Sequence, residues 1–367
     1  MKNAILSVFV ALLCILPLRA QSDKSYEWTD ATTLTIGGKL TSDTSAPYSR
    51  LPESLKDKTT PKIWELGQSS SGIYVKFRSD APEFVIRWSL GKQMGSSVMS
   101  RINYMGLDLY YWDGARWKFA YPCKPGSRAD EQYETICTFD RLPAGEREYM
   151  LYLSMYNAVK TLQIGVEKPY SLAASRLDNP KSDRPVVMYG TSILQGGSAA
   201  RPGLASTNRI SRELGRTVIN LGFAGNGRLN LEIAEYMASC PNPALYVLDN
   251  APNCSDKLIA DKQEAFFRIL RNAHPDVPVV FIENPMYPKT DISEAEYRRF
   301  APRNEMLRKV YDSLVAKGEK NIWYIPAEGL LDPEKEGTID GTHFNEIGFN
   351  HYLSVVVPVL KAALKAD

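Results

Sequence analysis

The stretch Val186-Val187-Met188-Tyr189-Gly190-Thr191-Ser192-Ile193 decides the fold of the second half of this 367-residue chain. Four consecutive apolar residues read as a strand buried on both faces, and Gly-Thr-Ser reads as its turn into a helix. Ser192 therefore stands where the unpaired N–H groups of a helix N-terminus stabilise negative charge. The chain has only three histidines, and His343 follows an acid by three residues in Asp340-Gly341-Thr342-His343. A serine, an imidazole and a carboxylate are thus candidates for one constellation, in which the imidazole takes the serine proton and the acid orients the imidazole.

Outward from Ser192, apolar strands alternate with helical patterns. Strands are expected at Val186–Tyr189, Thr217–Leu221, Leu245–Leu248, Val279–Ile282 and Ile322–Ile325. Helices are expected at Ser206–Leu214, Leu229–Met237, Asp261–Asn272 and Glu294–Ala316, with a last helix from about Asn345 that carries Pro358 as a kink. Such alternation predicts an α/β fold, a parallel sheet with helices on both faces. Ligands of such sheets bind beyond the carboxyl ends of the strands, where this half keeps its unusual residues: Gly190–Ser192, Asn220–Gly227, Asp249–Asn253, Glu283–Pro285 and the terminal Asp340/His343 pair.

The first half reads differently. From Trp28 to Leu172 the runs are short and alternate with period two, as in Gly72–Phe77, Glu83–Trp88 and Glu148–Leu153, with Gly, Pro and Asp between them. That pattern predicts antiparallel strands in an all-β sandwich. The polar segment Ala173–Arg184, with Pro180 inside it, reads as the linker. The expected domains are residues 21–176 and 184–367.

Residues 1–20 combine a basic start, an apolar run from Ala4 to Leu16 and Leu18-Arg19-Ala20, the pattern of a signal peptide cut after Ala20. The expected location is secreted or periplasmic. The run is short for a membrane anchor, and Leu13 stands before Cys14 where a lipoprotein signal carries a small residue. Cleavage removes Lys2 and Arg19 and leaves 42 basic residues against 42 acidic ones. This balance argues against nucleic acid or an anionic membrane as partner, and stable membrane insertion is not expected. Neither a cofactor nor a metal is expected: no cysteine–histidine cluster has zinc spacing, and Gly225-x-Gly227 meets Asn230 where a dinucleotide loop has its third glycine.

Four cysteines follow the signal segment. Cys123 and Cys137 flank a polar stretch between strands and are expected as a hairpin-type bridge, worth roughly 3 kcal/mol if closed. Cys240 and Cys254 bracket a strand whose ends lie too far apart to bond, so no bridge is expected there.

The block Gly190–Ser192, the glycine at the end of Asn220–Gly225, an asparagine after the third strand, and Asp340-x-x-His343 resemble the four signature blocks of the SGNH, or GDSL-like, hydrolases. The run Tyr189–Gly196 with Arg201-Pro202-Gly203 is similar to a subgroup whose N-terminal β-domain carries a Gly-x-Asp-Leu-Tyr motif, here Gly106-Leu107-Asp108-Leu109-Tyr110. The resemblance implies a flavodoxin-like hydrolase sheet after the sandwich, with Ser192 as nucleophile, His343 as base and Asp340 as its partner. It also implies Ser192, Gly225 and Asn253 as oxyanion donors. Two positions depart from the usual spelling: Thr191 replaces the acid before the nucleophile, and the third block leaves Asn250 as a rival to Asn253.

Other residues carry two readings. Arg201 either reaches substrate or braces a neighbouring acid, and Glu283 either lines the site or caps a helix. His274 reads as a surface-loop residue and His351 as a packing residue of the last helix. The implied activity is an ester hydrolase that removes acetyl or another small acyl group from a glycan or small-molecule ester. A lipid or lysophospholipid acyl hydrolase and a glycan-binding protein on an inactive scaffold are the alternatives.

Overall fold

The computed structural model describes residues 25–91, 95–127 and 130–365; the expected signal segment lies outside them. The first half carries strands β1 (Tyr26–Asp30), β2 (Thr35–Gly37), β3 (Tyr74–Ser79), β4 (Glu83–Leu90) and β5 (Leu107–Trp112). It continues with β6 (Trp117–Cys123), β7 (Tyr133–Thr138), β8 (Arg147–Tyr152), β9 (Val159–Glu167) and β10 (Leu172–Ala174). Two short helices interrupt them, α1 (Pro61–Gly67) and α2 (Arg101–Met105). One antiparallel sheet has the order β1-β9-β4-β7; the other has the order β10-β3-β8-β5-β6, with β2 added beside β3. Inward side chains from both, such as Phe77, Leu109 and Leu151 on one and Phe84, Ile86 and Trp88 on the other, close a single core. Phe77 and Phe84 meet edge to face across it at 5.4 Å.

The second half opens with β11 (Lys181–Gly190) and α3 (Ser192–Gln195), followed by α4 (Ser206–Leu214) and β12 (Arg216–Gly222). Then come α5 (Leu231–Ala238), β13 (Leu245–Asp249), α6 (Asp256–Ala273), β14 (Val279–Ile282), α7 (Glu294–Ala316), β15 (Ile322–Ile325) and α8 (Glu346–Ala363). The sheet order is β12-β11-β13-β14-β15 and every pairing is parallel. In chain order this is the flavodoxin-like 2-1-3-4-5 arrangement. Alternation explains why residues 186–189 of β11 are all apolar: Val187 and Tyr189 pack with α5, α6 and α7, whereas Val186 and Met188 pack on the face carrying α4 and α8. The chain leaves β11 for β12 on one side and later returns to β13 on the other, so the crevice of the sheet opens at the end of β11, where Ser192 begins α3.

The expected linker is only partly a linker. Leu172–Ala174 pairs with β3, and β11 starts at Lys181 rather than Val186. Backbone pairing needs no apolar side chain, so a polar strand end leaves no trace in hydropathy. The hairpin reading of the cysteine pair also needs correction. Cys123 is registered opposite Leu107 in one sheet and Cys137 opposite Phe84 in the other. They are free, buried thiols that meet between the sheets in hydrogen-bond contact, and burial pushes the Cys123 thiol well above its ordinary range. Cys240 and Cys254 are free and buried.

The sandwich does not stop at its own core. Leu51, Leu55, Ile63 and Leu66 pack into the apolar layer of the parallel sheet. Arg50, only 2% exposed, enters the same junction.

Candidate active site

Ser192 is the first residue of α3, and Thr191 is its N-cap, its hydroxyl accepting from the Ile193 N–H at 3.3 Å. The threonine thus caps the turn that carries the serine. Gly190, Gly222 and Gly227 allow the turn to form. A Cβ on Gly190 would lie 2.6 Å from the Asp249 carbonyl, one on Gly222 2.3 Å from the Gln195 nitrogen, and one on Gly227 2.2 Å from the Gly190 carbonyl.

Ser192 Oγ lies 2.9 Å from His343 Nε2, and His343 Nδ1 lies 2.7 Å from Asp340 Oδ2. The second acid oxygen, Oδ1, accepts from the backbone N–H groups of Thr342 at 3.0 Å and His343 at 2.8 Å. Gly341 takes a positive φ of 85° at the tip of this turn. A bridge between Thr338 and Phe344 closes its base, and Asn345 then caps α8. One carboxylate therefore fixes both the loop and the ring within it. Burial opposes ionisation of Asp340, but the imidazole and the two N–H groups outweigh it and hold the carboxyl below its ordinary range.

Asn253 Oδ1 accepts from the Gly227 N–H at 3.2 Å, which leaves its Nδ2 donors unengaged among the described residues. The N–H groups of Ser192 and of Gly225, at φ 67°, likewise have no acceptor there. Three donors of this kind can receive an oxyanion. The rival Asn250 is 1% exposed and donates instead to Gln263 Oε1 at 2.9 Å and towards Cys254 Sγ, away from the serine.

Beside Ser192 lies a cavity of about 220 Å³ whose walls include Asn253, Tyr287, Lys289, Glu296, Arg299, Phe300, Arg303 and Asp340. Arg201 and Glu283 are not on these walls. Arg201 Nη1 donates to Asp108 Oδ2 at 2.6 Å and to Tyr110 Oη at 3.1 Å, with its guanidinium stacked 3.6 Å from the Phe119 ring. Glu283 accepts from Tyr324 Oη and from the Ala327 N–H. Arg201 thus follows its bracing reading, whereas Glu283 neither lines this cavity nor caps a helix and instead holds the turn after β15. His274 makes a hydrogen bond with the Ala238 carbonyl at 3.1 Å, and His351 lies within α8 away from the serine loop.

The geometry also brings in residues that local sequence did not mark. Gln195, fully buried, accepts from the Ala224 N–H at 2.9 Å and so pins the loop that carries Gly225. Four residues of the sandwich hold the serine segment and the neighbouring end of β12. Tyr156 Oη donates to the Ser192 carbonyl at 3.0 Å and Asn103 Nδ2 to the Gly196 carbonyl at 2.9 Å. Asp108 accepts from the Gly203 N–H at 2.7 Å, and Arg50 Nη1 donates to the carbonyls of Asn220 at 3.0 Å and Gly222 at 2.8 Å. No periodicity announces such contacts. The cavity face of α7 had a readable signal: Glu296, Arg299, Phe300 and Arg303 recur at i, i+3, i+4 and i+7, with charges where a packed face would be apolar.

A flavodoxin-like sheet with an acid-supported serine–histidine pair at its switch point is the architecture of an α/β serine hydrolase. The chain belongs to the GDSL-like lipase/acylhydrolase family: the model of that family matches residues 183–361, and a model for the N-terminus of SGNH-hydrolase-type esterases matches residues 26–172. A structure from Bacteroides ovatus ATCC 8483 described as a GDSL-like lipase is 30% identical, covers 93% of this chain and 98% of its own, and superposes with a TM-score of 0.87. The salicylyl-acyltransferase SsfX3 of a tetracycline biosynthetic pathway is 22% identical with a TM-score of 0.75, over 92% of this chain and 97% of its own. A family two carbohydrate esterase from Cellvibrio japonicus shares the fold at 12% identity and a TM-score of 0.56, over 94% of this chain and 99% of its own. A search of the curated proteins finds no match. The protein is an esterase of the SGNH type.

Proposed function

We propose that this esterase removes small acyl groups, acetyl foremost, from a carbohydrate ester through a covalent acyl-enzyme, and that it acts outside the cytoplasm after loss of residues 1–20. The observation that carries the proposal is the hydrogen-bonded line from Ser192 through His343 to Asp340 at the mouth of a small, charge-lined cavity.

In this reading neutral His343 takes the Ser192 proton on Nε2 as Oγ attacks the ester carbon. Asp340 then stabilises the imidazolium through Nδ1. The Ser192 and Gly225 N–H groups and the Asn253 amide receive the tetrahedral oxyanion. His343 returns the proton to the departing alcohol, leaving an acyl ester on Ser192. A water then gives a proton to His343 and attacks that ester, and His343 returns the proton to Ser192 Oγ as the C–O bond breaks, releasing the acid and the free serine.

The cavity favours this substrate class over a lipid. A long acyl chain needs an extended apolar groove, whereas about 220 Å³ walled by Lys289, Glu296, Arg299, Arg303 and Asp340 suits a short acyl group on a polar alcohol. Acetate release from a panel of acetylated polysaccharides, beside chain-length preference on aryl esters, tests the assignment. Preference for long-chain esters, or absence of covalent labelling of Ser192 by a fluorophosphonate, overturns it in favour of a lipid hydrolase or a binding scaffold respectively.

A further inference from the structure

We infer that the cavity beside Ser192 is a subsite for a carboxylate carried by the substrate, so that the preferred ester is anionic. The inference rests on the esterase reading above and narrows its substrate class.

Three cationic side chains wall this small space, Lys289, Arg299 and Arg303, against two acids. Both acids are engaged. Asp340 serves His343, and Glu296 pairs with Arg299 at 3.6 Å. Arg303 has no carboxylate partner among the described residues. Its Nη1 donates to the Pro252 carbonyl at 2.9 Å, and its Nε is buried with no acceptor. The guanidiniums of Arg299 and Arg303 stand on one face of α7, 5.2 and 4.8 Å from the Phe300 ring centroid, and burial together with the neighbouring Arg299 charge holds Arg303 below the ordinary guanidinium range.

A separate observation concerns Tyr287. It is 2% exposed and lines the same cavity, yet its hydroxyl has no hydrogen-bond partner among the described residues. A buried hydroxyl without a partner is costly unless a ligand completes it. Two like-charged guanidiniums held together are costly unless an anion lies between them. A carboxylate satisfies both needs at once, since it accepts from guanidinium and phenol donors together. A neutral sugar hydroxyl meets the tyrosine but leaves the repulsion in place. The carboxylate can sit on the alcohol side, as in a uronic acid residue bearing the acyl group, or on the acyl side, as in a half-ester of a dicarboxylic acid.

The test compares kcat/KM on matched neutral and anionic esters. On the acyl side the pair is 4-nitrophenyl acetate and mono-4-nitrophenyl succinate. On the alcohol side it is acetylated xylan and acetylated polygalacturonate. The expected result is a preference for the anionic member of one pair, which identifies the side that carries the charge and which added salt weakens. Arg303→Gln and the more exposed Arg299→Gln should each cut that ratio by about 10- to 100-fold, mainly through KM. Equal use of both members of both pairs, or a ratio unchanged in both variants, overturns the inference. If no ester is hydrolysed, the esterase reading fails first, and calorimetry on Ser192→Ala decides the subsite. Digalacturonate binding well above xylobiose sustains it; equal binding or none overturns it.

Discussion

The guanidinium of Arg50 donates to the carbonyl of Gly222 at 2.8 Å, across 172 residues of sequence. Its other donors reach the carbonyls of Asn220, Leu66 and Ser69 and the Ser69 hydroxyl, so all five N–H groups end on neutral oxygens. Burial disfavours its charge, and these acceptors are what keeps the ion in place. Through this one side chain the sandwich grips the end of β12, from which the Gly225 loop departs. Arg50→Met should therefore leave several buried carbonyls unpaired and cost about 3 kcal/mol or more. Urea unfolding gives the loss. Turnover of the surviving folded fraction should also fall, and an unaltered kcat would show that the grip is structural alone.

Asp340→Asn should lower kcat roughly 10³- to 10⁴-fold while preserving the fold, because an amide cannot hold the imidazole in the required tautomer or stabilise its protonated form. Circular dichroism together with aryl acetate hydrolysis measures both halves of the expectation. Activity within tenfold of the native protein would remove Asp340 from its proposed role.

The two asparagines should separate cleanly. Asn253→Ala removes a proposed oxyanion donor and should cost about 10²- to 10³-fold in kcat with little change in KM. Asn250→Ala breaks the buried bond to Gln263 instead, and should lower stability by about 1–3 kcal/mol. Reversed outcomes would hand the oxyanion to Asn250.

The pairing of Asp108 with Arg201 makes the motif of the sandwich part of the serine loop. Asp108→Ala strands a partly buried guanidinium and frees the Gly203 N–H, and should destabilise the protein by about 1–3 kcal/mol. Thermal unfolding reads it directly, and a change below 1 kcal/mol would mean that the pair is dispensable.

Asp249 lies at the end of β13 and is fully enclosed, and burial pushes its carboxyl up to about 7 in spite of the hydrogen bond donated by Tyr352. A folded value above the unfolded one means that the folded state binds the proton more tightly. The contribution of this group is complete below the ordinary carboxylate range and is lost as pH rises through about 7. Asp249→Asn should flatten that decline and be the more stable form above neutrality. Urea midpoints of both proteins between pH 4 and 8 test this, and parallel curves would refute it.

The strand and helix order was legible because each element carries its own periodicity. The run 186–189 is apolar because β11 is covered on both faces, and the β-domain alternates because each of its sheets has an inner and an outer face. The Asp340-x-x-His343 spacing was legible for a local reason too, since one turn brings the acid and its base together. The polar start of β11 was not legible, because only backbone pairing makes it a strand.

By itself, the sequence determined the two fold types, the serine at a strand–helix turn and the acid–histidine turn, all features whose causes lie within a few residues. Tertiary structure alone decided which asparagine faces the cavity, that Arg201 and Glu283 brace rather than line it, and that the two central cysteines meet between sheets. It alone placed Arg50, Asn103, Asp108 and Tyr156 behind the serine segment and Arg299 and Arg303 in front of it. The physical reason is range. A hydrogen bond or a charge acts over a few ångströms of space whatever the separation in sequence, so such contacts exist only once the sheets are packed.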